Sequence, residues 1–259
     1  MNTEQKLKEE AELVAQLRTL CQSDVEKFQL SDVTIRRFLR ARKGDVEATK
    51  RGIERHCQWR IEEKVDEIKE YDVSGEIEVG KIQVYGKDKA NRPVVYIFAV
   101  RHNKDQRNLE EMKKFIIFTL EKALALTKPD EEKMDIVFDL NGFNKKCMDY
   151  DVVKLLINIL GFNYPETLQV AYVVNAPFIF WACWVIIKPW LDPITAAKVK
   201  IVKKEELLNI ISHDQLHEVL SSTITPPPAS TSSSSQSQQQ QESTAVDTEN
   251  HDDVGTMKE

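Results

Sequence analysis

Two histidines, His213 and His217, are the first pair whose spacing could support chemistry. Residues four apart lie on the same side of a helix, as the two histidines of an HExxH zinc motif do. Here Asp214, Gln215 and Leu216 separate the pair, and no glutamate follows the first histidine. The spacing therefore favours solvent-facing helix histidines over a metal site.

A second pair, Asp135 and Asp139, could supply two carboxylates for acid–base work. The two residues flank the apolar run at 136–138, and alternation along a strand puts both side chains on one face. Both also lie at the ends of the predicted strand, where water normally solvates a carboxylate. We therefore expect ordinary solvated aspartates here.

Signatures of nucleotide binding and of covalent catalysis do not occur in this sequence. The eight glycines form no GxGxxG fingerprint and no GxxxxGK[ST] loop, and there is no GxSxG nucleophile motif. The four cysteines are widely separated, without a CxxC pair, and predict neither a zinc finger nor a disulfide framework. These residues favour a protein that is not an enzyme and needs no metal or cofactor, and an unrecognised α/β enzyme is the weakest alternative.

The net charge of −6 is unevenly distributed along the chain. From Ser221 onward there are six acidic residues and one lysine, so the preceding part is close to neutral. A nucleic-acid-binding domain would carry a basic stripe, and none is evident. The sequence therefore predicts no nucleic-acid partner.

Residues 170–187 form an 18-residue apolar run that could be a membrane-spanning helix and that is interrupted only by Asn175 and Pro177. That length is near the lower limit for a bilayer-spanning helix. The residue before a proline avoids the helical region, so the run should divide into a strand and a separate buried helix. The N-terminus is charged and has no signal-peptide-like apolar run. We expect a cytoplasmic protein with reduced cysteines.

The first part of the chain is predicted to be helical. Apolar residues at helical spacing predict a helix over residues 4–20. Ser31 is a good N-cap for a second helix that ends before Gly44, and Asp45 can cap a third. We assign residues 1–71 to a helical N-terminal lobe.

From Gly80 onward the sequence alternates between strands and helices. Apolar, β-branched runs bounded by turn residues indicate buried strands, and the longer segments between them have the apolar spacing of helices. The predicted strands are 81–85, 93–100, 134–140, 168–174 and 198–202, and the intervening helices are 109–127, 150–160 and 178–187.

This alternation predicts an α/β domain with a mainly parallel sheet flanked by helices, because parallel strands require long crossover connections. We assign residues 72–221 to this domain. The remaining segment, 222–259, is rich in Pro, Ser and Gln and is acidic. It has almost no apolar surface to bury, so we expect a disordered, solvated tail.

Several short motifs occur in the order typical of one known family. Taken together they resemble the CRAL-TRIO lipid-binding domain, of the phosphatidylinositol-transfer type, over about residues 25–220. One departure is Asn91, which stands where the family has a glycine. The matching segments are IRRFLRARK at 35–43, DVEA at 45–48, GKDKANRPV at 86–94, FDLNG at 138–142, YPETL at 164–168, NAP at 175–177 and KPWLDPITAAK at 188–198.

The resemblance implies a helical lobe beside a sheet that floors an apolar pocket for one lipid, with a mobile helix as its gate. The buried strands of this sequence suit such a floor. Two prolines bound a short apolar segment that could swing on hinges at Lys188 and Thr195 and touch a membrane surface; a plain capping helix is the alternative. The gate residues are Lys188, Pro189, Trp190, Leu191, Asp192, Pro193 and Ile194.

The resemblance also implies a set of head-group ligands. Arg42 and Lys43 match a basic pair that phosphoinositide-transfer members use near the head group. Glu166 matches an acidic residue that pairs with a basic group, and Thr195 and Lys198 match a Thr-x-x-Lys pair after the gate. Plainer interpretations are that Arg42 and Lys43 are cations favoured at a helix C-terminus and that Lys198 is a solvated residue at a strand end. The expected ligand is a phosphoinositide or related phospholipid.

Departures from the family pattern leave alternatives open. After Gly142 the phospholipid binders often carry small hydroxyl residues, whereas Phe143, Asn144, Lys145 and Lys146 occur here. A ligand-free interaction module and a carrier of a smaller apolar lipid, like retinoid or tocopherol, are the competing hypotheses. The expected protein is a monomer that contacts membranes transiently.

Overall fold

The computed structural model describes residues 3–224, so the predicted tail at 222–259 lies outside it except for residues 222–224. Ile224 is buried, and these three residues therefore belong to the folded part and not to a solvated tail. The N-terminal part contains four helices: α1 at Thr3–Leu20, α2 at Gln22–Lys27, α3 at Asp32–Ala41 and α4 at Val46–Glu62. Both predicted N-caps are confirmed. The hydroxyl of Ser31 accepts a hydrogen bond from Thr34 N at 2.9 Å, and Asp45 accepts one from Ala48 N at 2.8 Å.

A fifth helix, α5 at Ser74–Val79, was not predicted and extends the helical part beyond Tyr71. Residues 75–81 have the Gly and Lys spacing of a phosphate-binding loop, but Ile82 comes where that loop needs Ser or Thr. The segment is helical instead, and Lys81 pairs with Glu76 at 2.7 Å. It therefore has a structural role.

Five strands form one sheet in the order β1-β2-β3-β4-β5. The first two pair antiparallel, and the other neighbours pair parallel, which confirms the predicted α/β class. The strands are β1 at Ile82–Lys87, β2 at Pro93–Phe98, β3 at Met134–Asp139, β4 at Leu168–Val174 and β5 at Val199–Ile201.

The parallel strands are joined by helices, as the crossover rule requires. Helix α6 spans Leu109–Leu124, α7 spans Tyr150–Asn163, and α8 spans Phe178–Ile187. Helix α7 continues through Gly161, although its predicted end was residue 160. A one-turn 3-10 helix at Lys188–Trp190 leads to α9 at Pro193–Lys198, and α10 at Glu218–Ser221 closes the described chain.

Backbone conformation and close packing explain the residue types in the β1–β2 hairpin. Asn91, which replaces the family's glycine, has a φ of 66°, a left-handed conformation that asparagine tolerates better than most residues. Gly86 has a φ of 59°, and an added Cβ would lie 2.1 Å from the carbonyl oxygen of Gln215. Only glycine therefore lets the C-terminal segment approach the hairpin this closely.

One face of the sheet, which we call the closed face, is covered by the C-terminal segment 204–224. Alternate strand residues, among them Tyr96 and Val137, pack against Leu207 and Leu216. All four side chains are almost fully buried. This face forms a dry core.

The opposite face, which we call the open face, is covered by helices. Val95 and Ile136 pack beneath α6 and α7, whereas Val173 packs with Phe180 of α8 in a separate cluster. No helix among residues 3–224 is long and apolar enough to cross a membrane. The apolar run at 170–187 is β4 followed by α8, as predicted.

Candidate functional site: an apolar strip and a cluster of charges

A strip of incompletely buried apolar side chains runs across the open face. Strands β2 and β3 are buried along their whole length except at Ile97 and Phe138, which are half-buried. The sheet register places these two residues side by side, and Phe138 is next to Val173 of β4. Phe138 contacts both clusters of this face. The helices therefore leave an apolar strip between the α6–α7 and the α8 cluster only partly covered.

Helix α7 borders this strip with side chains that are also only half-buried. It has an apolar sequence, yet Ile159 and Asn163 are its only buried residues. Helix α6, by contrast, buries seven side chains. The half-buried side chains of α7 that contact the α6–α7 cluster are Val152, Leu155, Leu156 and Leu160.

Helix α8 differs from its prediction as a buried helix. Only Phe180 and Cys183 are buried, whereas Phe178 is 92% exposed and Val185 is 73% exposed. Trp181 and Ile186 are exposed as well. Because the ten residues of α8 include no charged residue and no amide, the sequence predicts a buried helix. A helix that is apolar all round also suits a bilayer interface, and that alternative was the signal missed.

The predicted gate residues come directly after α8. The backbone leaves the helical conformation at Leu191 and Asp192, between the 3-10 turn and α9. The ring of Trp190 lies 5.6 Å from that of Tyr150, measured between centroids, and Lys154 Nζ lies 4.8 Å from the Trp190 centroid. These contacts join the gate segment to the first two turns of α7.

The structure brings two of the five predicted head-group residues into direct contact. Lys198 Nζ lies 3.3 Å from Glu166 Oε2. Thr195 is one turn before Lys198 in α9, but its hydroxyl donates to Asp192, the residue that caps this helix. Glu166 has a φ of 60° and comes after Pro165, whose carbonyl accepts a hydrogen bond from Arg37 Nη1 at 3.0 Å. Arg37 thus ties α3 to the loop that carries Glu166.

A third charged residue of this cluster, Lys133, was not predicted. Its Nζ lies 3.5 Å from Glu166 Oε2. Burial, together with the nearby Lys198 ammonium, lowers the pKa of Lys133. The contact follows from the pairing of β3 with the start of β4, because Met134 N donates to Thr167 O and therefore puts Lys133 beside Glu166. No sequence motif gives this register.

Arg42 and Lys43 lie at the end of α3, without a hydrogen bond or ion pair to Glu166 or Lys198 in the described residues. The guanidinium of Arg42 stacks over Phe38 at 5.2 Å and lies against Gly52. Burial and the neighbouring Arg55 lower the pKa of Arg42. Lys43 is exposed, with a φ of 54°.

The histidine pair does not form a metal site. His213 begins a 3-10 turn and His217 caps α10, so the two do not share one helix. The prediction of two solvent-facing histidines is wrong for His217, which is buried on the closed face among Tyr85, Tyr96 and Phe98. No cluster within residues 3–224 has the composition to hold a metal ion.

The prediction of solvated strand-end aspartates is also wrong. Asp135 is 0% exposed and Asp139 is 5% exposed. Asp135 faces Asp88, a hairpin residue that forms an isolated β-bridge with Ile211 of the C-terminal segment. Burial and Asp88 raise the pKa of Asp135 to about 7, against the opposing effect of Arg92. The hairpin and the C-terminal segment therefore exclude water from this end of β3.

Comparisons with known proteins agree with this architecture. A family model described as CRAL/TRIO domain matches residues 77–220. A CRAL-TRIO domain-containing protein of Schizosaccharomyces pombe is 34% identical over 76% of this chain and 47% of its own length. The phosphatidylinositol transfer protein CSR1 of Eremothecium gossypii is 34% identical over 66% of this chain and 42% of its own length.

A solved structure shows the same fold. The crystal structure of Sfh5 superposes with a TM-score of 0.62 at 18% identity, covering 78% of this chain and 83% of that one. Because the family model matches more than half of the sequence, the chain belongs to the CRAL/TRIO domain family. It spans less than half the length of the two curated relatives described above.

Proposed function

We propose that this protein binds one lipid, a phospholipid such as phosphatidylinositol, on the open face and transfers or presents it between membranes without catalysing a reaction. The observation that carries the proposal is the half-buried strip at Ile97 and Phe138 in otherwise buried strands. An acyl chain packed against this strip would bury the apolar side chains that the helices leave partly exposed. The name of the CSR1 relative supports the choice of lipid.

The energetics place the selectivity at the head group. Moving an acyl chain from water into an apolar site yields about 0.8 kcal/mol per methylene, but a lipid in a bilayer has already gained this free energy. Transfer of the tail is therefore nearly neutral. Fixed donors for a phosphate or an inositol must then distinguish one lipid from another.

We assign the head-group role to the charges around Glu166. Lys198 and Lys133 both lie close to Glu166, so their ammonium groups are held at a defined place by one carboxylate. A lipid phosphate could replace the Glu166 carboxylate as the acceptor for these two ammonium groups. Thr195 belongs to the same end of α9, whereas Arg42 and Lys43 are included on the family resemblance.

We assign the gate to α8 together with the predicted segment from Lys188 to Ile194. The exposed apolar side chains of α8 would enter the membrane interface, and the contacts of Trp190 with Tyr150 and Lys154 would hold the closed state. Replacing Trp190 by alanine should then speed lipid release from the loaded protein. An unchanged release rate in a fluorescent-lipid transfer assay would contradict this latch.

The first test is native mass spectrometry of the full chain with its co-purified lipid. One bound phospholipid per protein monomer is the expected result. A retinoid-sized ligand would favour the smaller apolar carrier, and a ligand-free protein that also fails to extract lipid from vesicles would favour the interaction module. Either outcome would overturn the phospholipid assignment.

The second test separates head-group recognition from general lipid uptake. Lys198→Ala should lower phosphatidylinositol uptake from mixed vesicles by a factor between about ten and a hundred, by removing a charge-assisted contact worth about 1.5–3 kcal/mol, and should alter total lipid uptake less. Lys200→Ala is the matched control, since Lys200 is an exposed lysine two residues away in β5. Equal losses in both variants would remove Lys198 from the site.

The proposed setting is the cytoplasm, with the protein bound to membranes only transiently. Light scattering during gel filtration should give the mass of a monomer, and vesicle flotation should recover only part of the protein. Stable recovery of all protein with the vesicles would contradict transient binding.

A further inference from the structure

A polar cavity of about 410 Å³ lies between the helical N-terminal part and helices α6 and α7. Its size falls in the range of small-molecule sites, about 300–1,000 Å³. The cavity shares no lining residue with α8, with α9 or with the Glu166 cluster. The polar side chains that line it are Gln29, Ser31, Thr34, Arg37, His56, Arg60, Glu121, Thr127, Glu132, Asn163 and Tyr164.

The two carboxylates of the cavity are already occupied by protein donors. Glu132 accepts hydrogen bonds from Ser31, Thr34 and Arg37, the last at 2.6 Å. Glu121 accepts from Arg60 and from the hydroxyl of Tyr164, the latter at 2.6 Å. A ligand would therefore find few free acceptor oxygens here.

Donors, by contrast, remain available. Arg37 uses Nε and Nη1 in its hydrogen bonds, and Arg60 uses both Nη atoms. Nη2 of Arg37 and Nε of Arg60 have no hydrogen-bond acceptor among residues 3–224. Since a guanidinium can only donate, a ligand that satisfies these atoms must supply acceptor oxygens.

His56 provides an independent sign that the cavity is incomplete. It is 4% exposed, and its Nδ1 is buried without any hydrogen-bond partner in the described part of the chain. Buried polar atoms are normally satisfied, so an orphaned ring nitrogen beside a cavity indicates a missing partner. Burial, followed by the charges of Arg60 and Arg37, lowers the pKa of His56 to about 3, against the opposing effect of the Asn163 side chain. The ring is thus neutral and lies close to two cations.

We propose that this cavity is a binding site for a small, water-soluble molecule that carries an oxyanion, a phosphate or a carboxylate. Its oxygens would accept from Arg37 and Arg60, and one of them would accept from Nδ1 of His56 in the neutral tautomer that carries its proton there. The lining has too little continuous apolar surface for an acyl chain, which separates this site from the proposed lipid site. Because the cavity lies between α3 and α4 on one side and α6 and α7 on the other, the ligand would stabilise their packing.

The test uses the full chain and inorganic phosphate as the probe. Ring ¹⁵N resonances of His56 are followed by NMR while phosphate is added at constant ionic strength and pH. A saturable shift of His56, with His213 unaffected, is expected, because His213 is exposed and distant in sequence. The absence of a saturable shift, or an equal response of both histidines, would overturn the proposal.

A blocking variant tests the location. Ala125 lies at the cavity with an exposed side chain, so Ala125→Trp should obstruct it without disturbing the core. We expect at least tenfold weaker phosphate binding in Ala125→Trp and unchanged binding in the matched Ala125→Ser variant. Equal binding in both would place the ion elsewhere and overturn the assignment.

A further arm distinguishes a soluble anion from a lipid head group. The His56 resonances are recorded with vesicles of phosphatidylcholine containing phosphatidic acid, in place of free phosphate. A response to free phosphate but not to the vesicles is expected, and a response to vesicles alone would overturn the soluble ligand. This readout does not depend on lipid transfer, so it stands even if the proposed lipid function fails.

Discussion

The two faces of the five-stranded sheet are covered in different ways. On the closed face a short C-terminal segment, built of 3-10 turns and one brief helix, buries Leu207 and Leu216 almost completely. On the open face three longer helices leave Ile97 and Phe138 half-buried. Regular helices thus cover the sheet less fully than irregular chain does, which suggests that the open face is shaped for something other than stability.

The closed face should carry the greater share of the stability. Leu207→Ala removes a fully buried side chain from it, and we expect a loss of about 2–5 kcal/mol in the free energy of unfolding. Urea denaturation measures this loss. Leu208→Ala is the matched control because Leu208 is only half-buried, and its loss should be clearly smaller. Equal losses would mean that the C-terminal segment is not a close-packed lid.

The exposed part of the open-face helices should matter for membrane binding and hardly for folding. Val185→Glu places a charge on the outer surface of α8, and we expect about tenfold weaker binding to vesicles because the apolar contact is lost. The free energy of unfolding should change by less than about 0.5 kcal/mol.

Val79→Glu makes the same change at another exposed valine, the last residue of α5. Vesicle flotation of both variants measures the effect, and Val79→Glu should bind like the unmodified protein. If the two variants lose binding equally, a change in net charge rather than α8 is responsible.

The sequence predicts the positions of the helices and strands better than the burial of their side chains. The bounds of β4 and α8 match the prediction, because turn residues and a proline delimit both segments. Helix α7 extends past the predicted stop at Gly161, since a glycine ends a helix only where the chain turns away. Local signals therefore locate an element well, whereas its last residue depends on the direction that the chain takes next.

Burial was harder to predict because it depends on distant segments. Asp135 looks like a solvated strand end in sequence, and it is buried because Asp88 and the C-terminal segment cover it. His217 is buried for a similar reason, against Tyr96 and Phe98 of the closed face. Within the site, the predicted residues Glu166 and Lys198 form an ion pair. The contact of Lys133 with Glu166 depends on the strand register, which no sequence motif predicts.

The closed face is not wholly apolar, and its buried carboxyl makes the stability of the protein depend on pH. Asp135 Oδ2 has no hydrogen-bond partner in the described residues, and Asp135 faces Asp88. The folded pKa of Asp135, about 7, is above its ordinary value of 3.8. The folded state therefore holds this proton more tightly, and the stability contributed is present below about pH 4 and lost as the pH rises through 7.

Asp135→Asn replaces the protonated carboxyl by a neutral group of the same shape, whose oxygen can still accept from Val170 N as Asp135 does at 3.0 Å. At pH 8 the variant should be more stable than the unmodified protein by up to about 4 kcal/mol, and the difference should become small near pH 4. Urea denaturation at both pH values measures this. Asp130→Asn, at an exposed position before β3, should show no such gain. A variant that is less stable at pH 8 would mean that the ionised carboxylate itself supports the closed face.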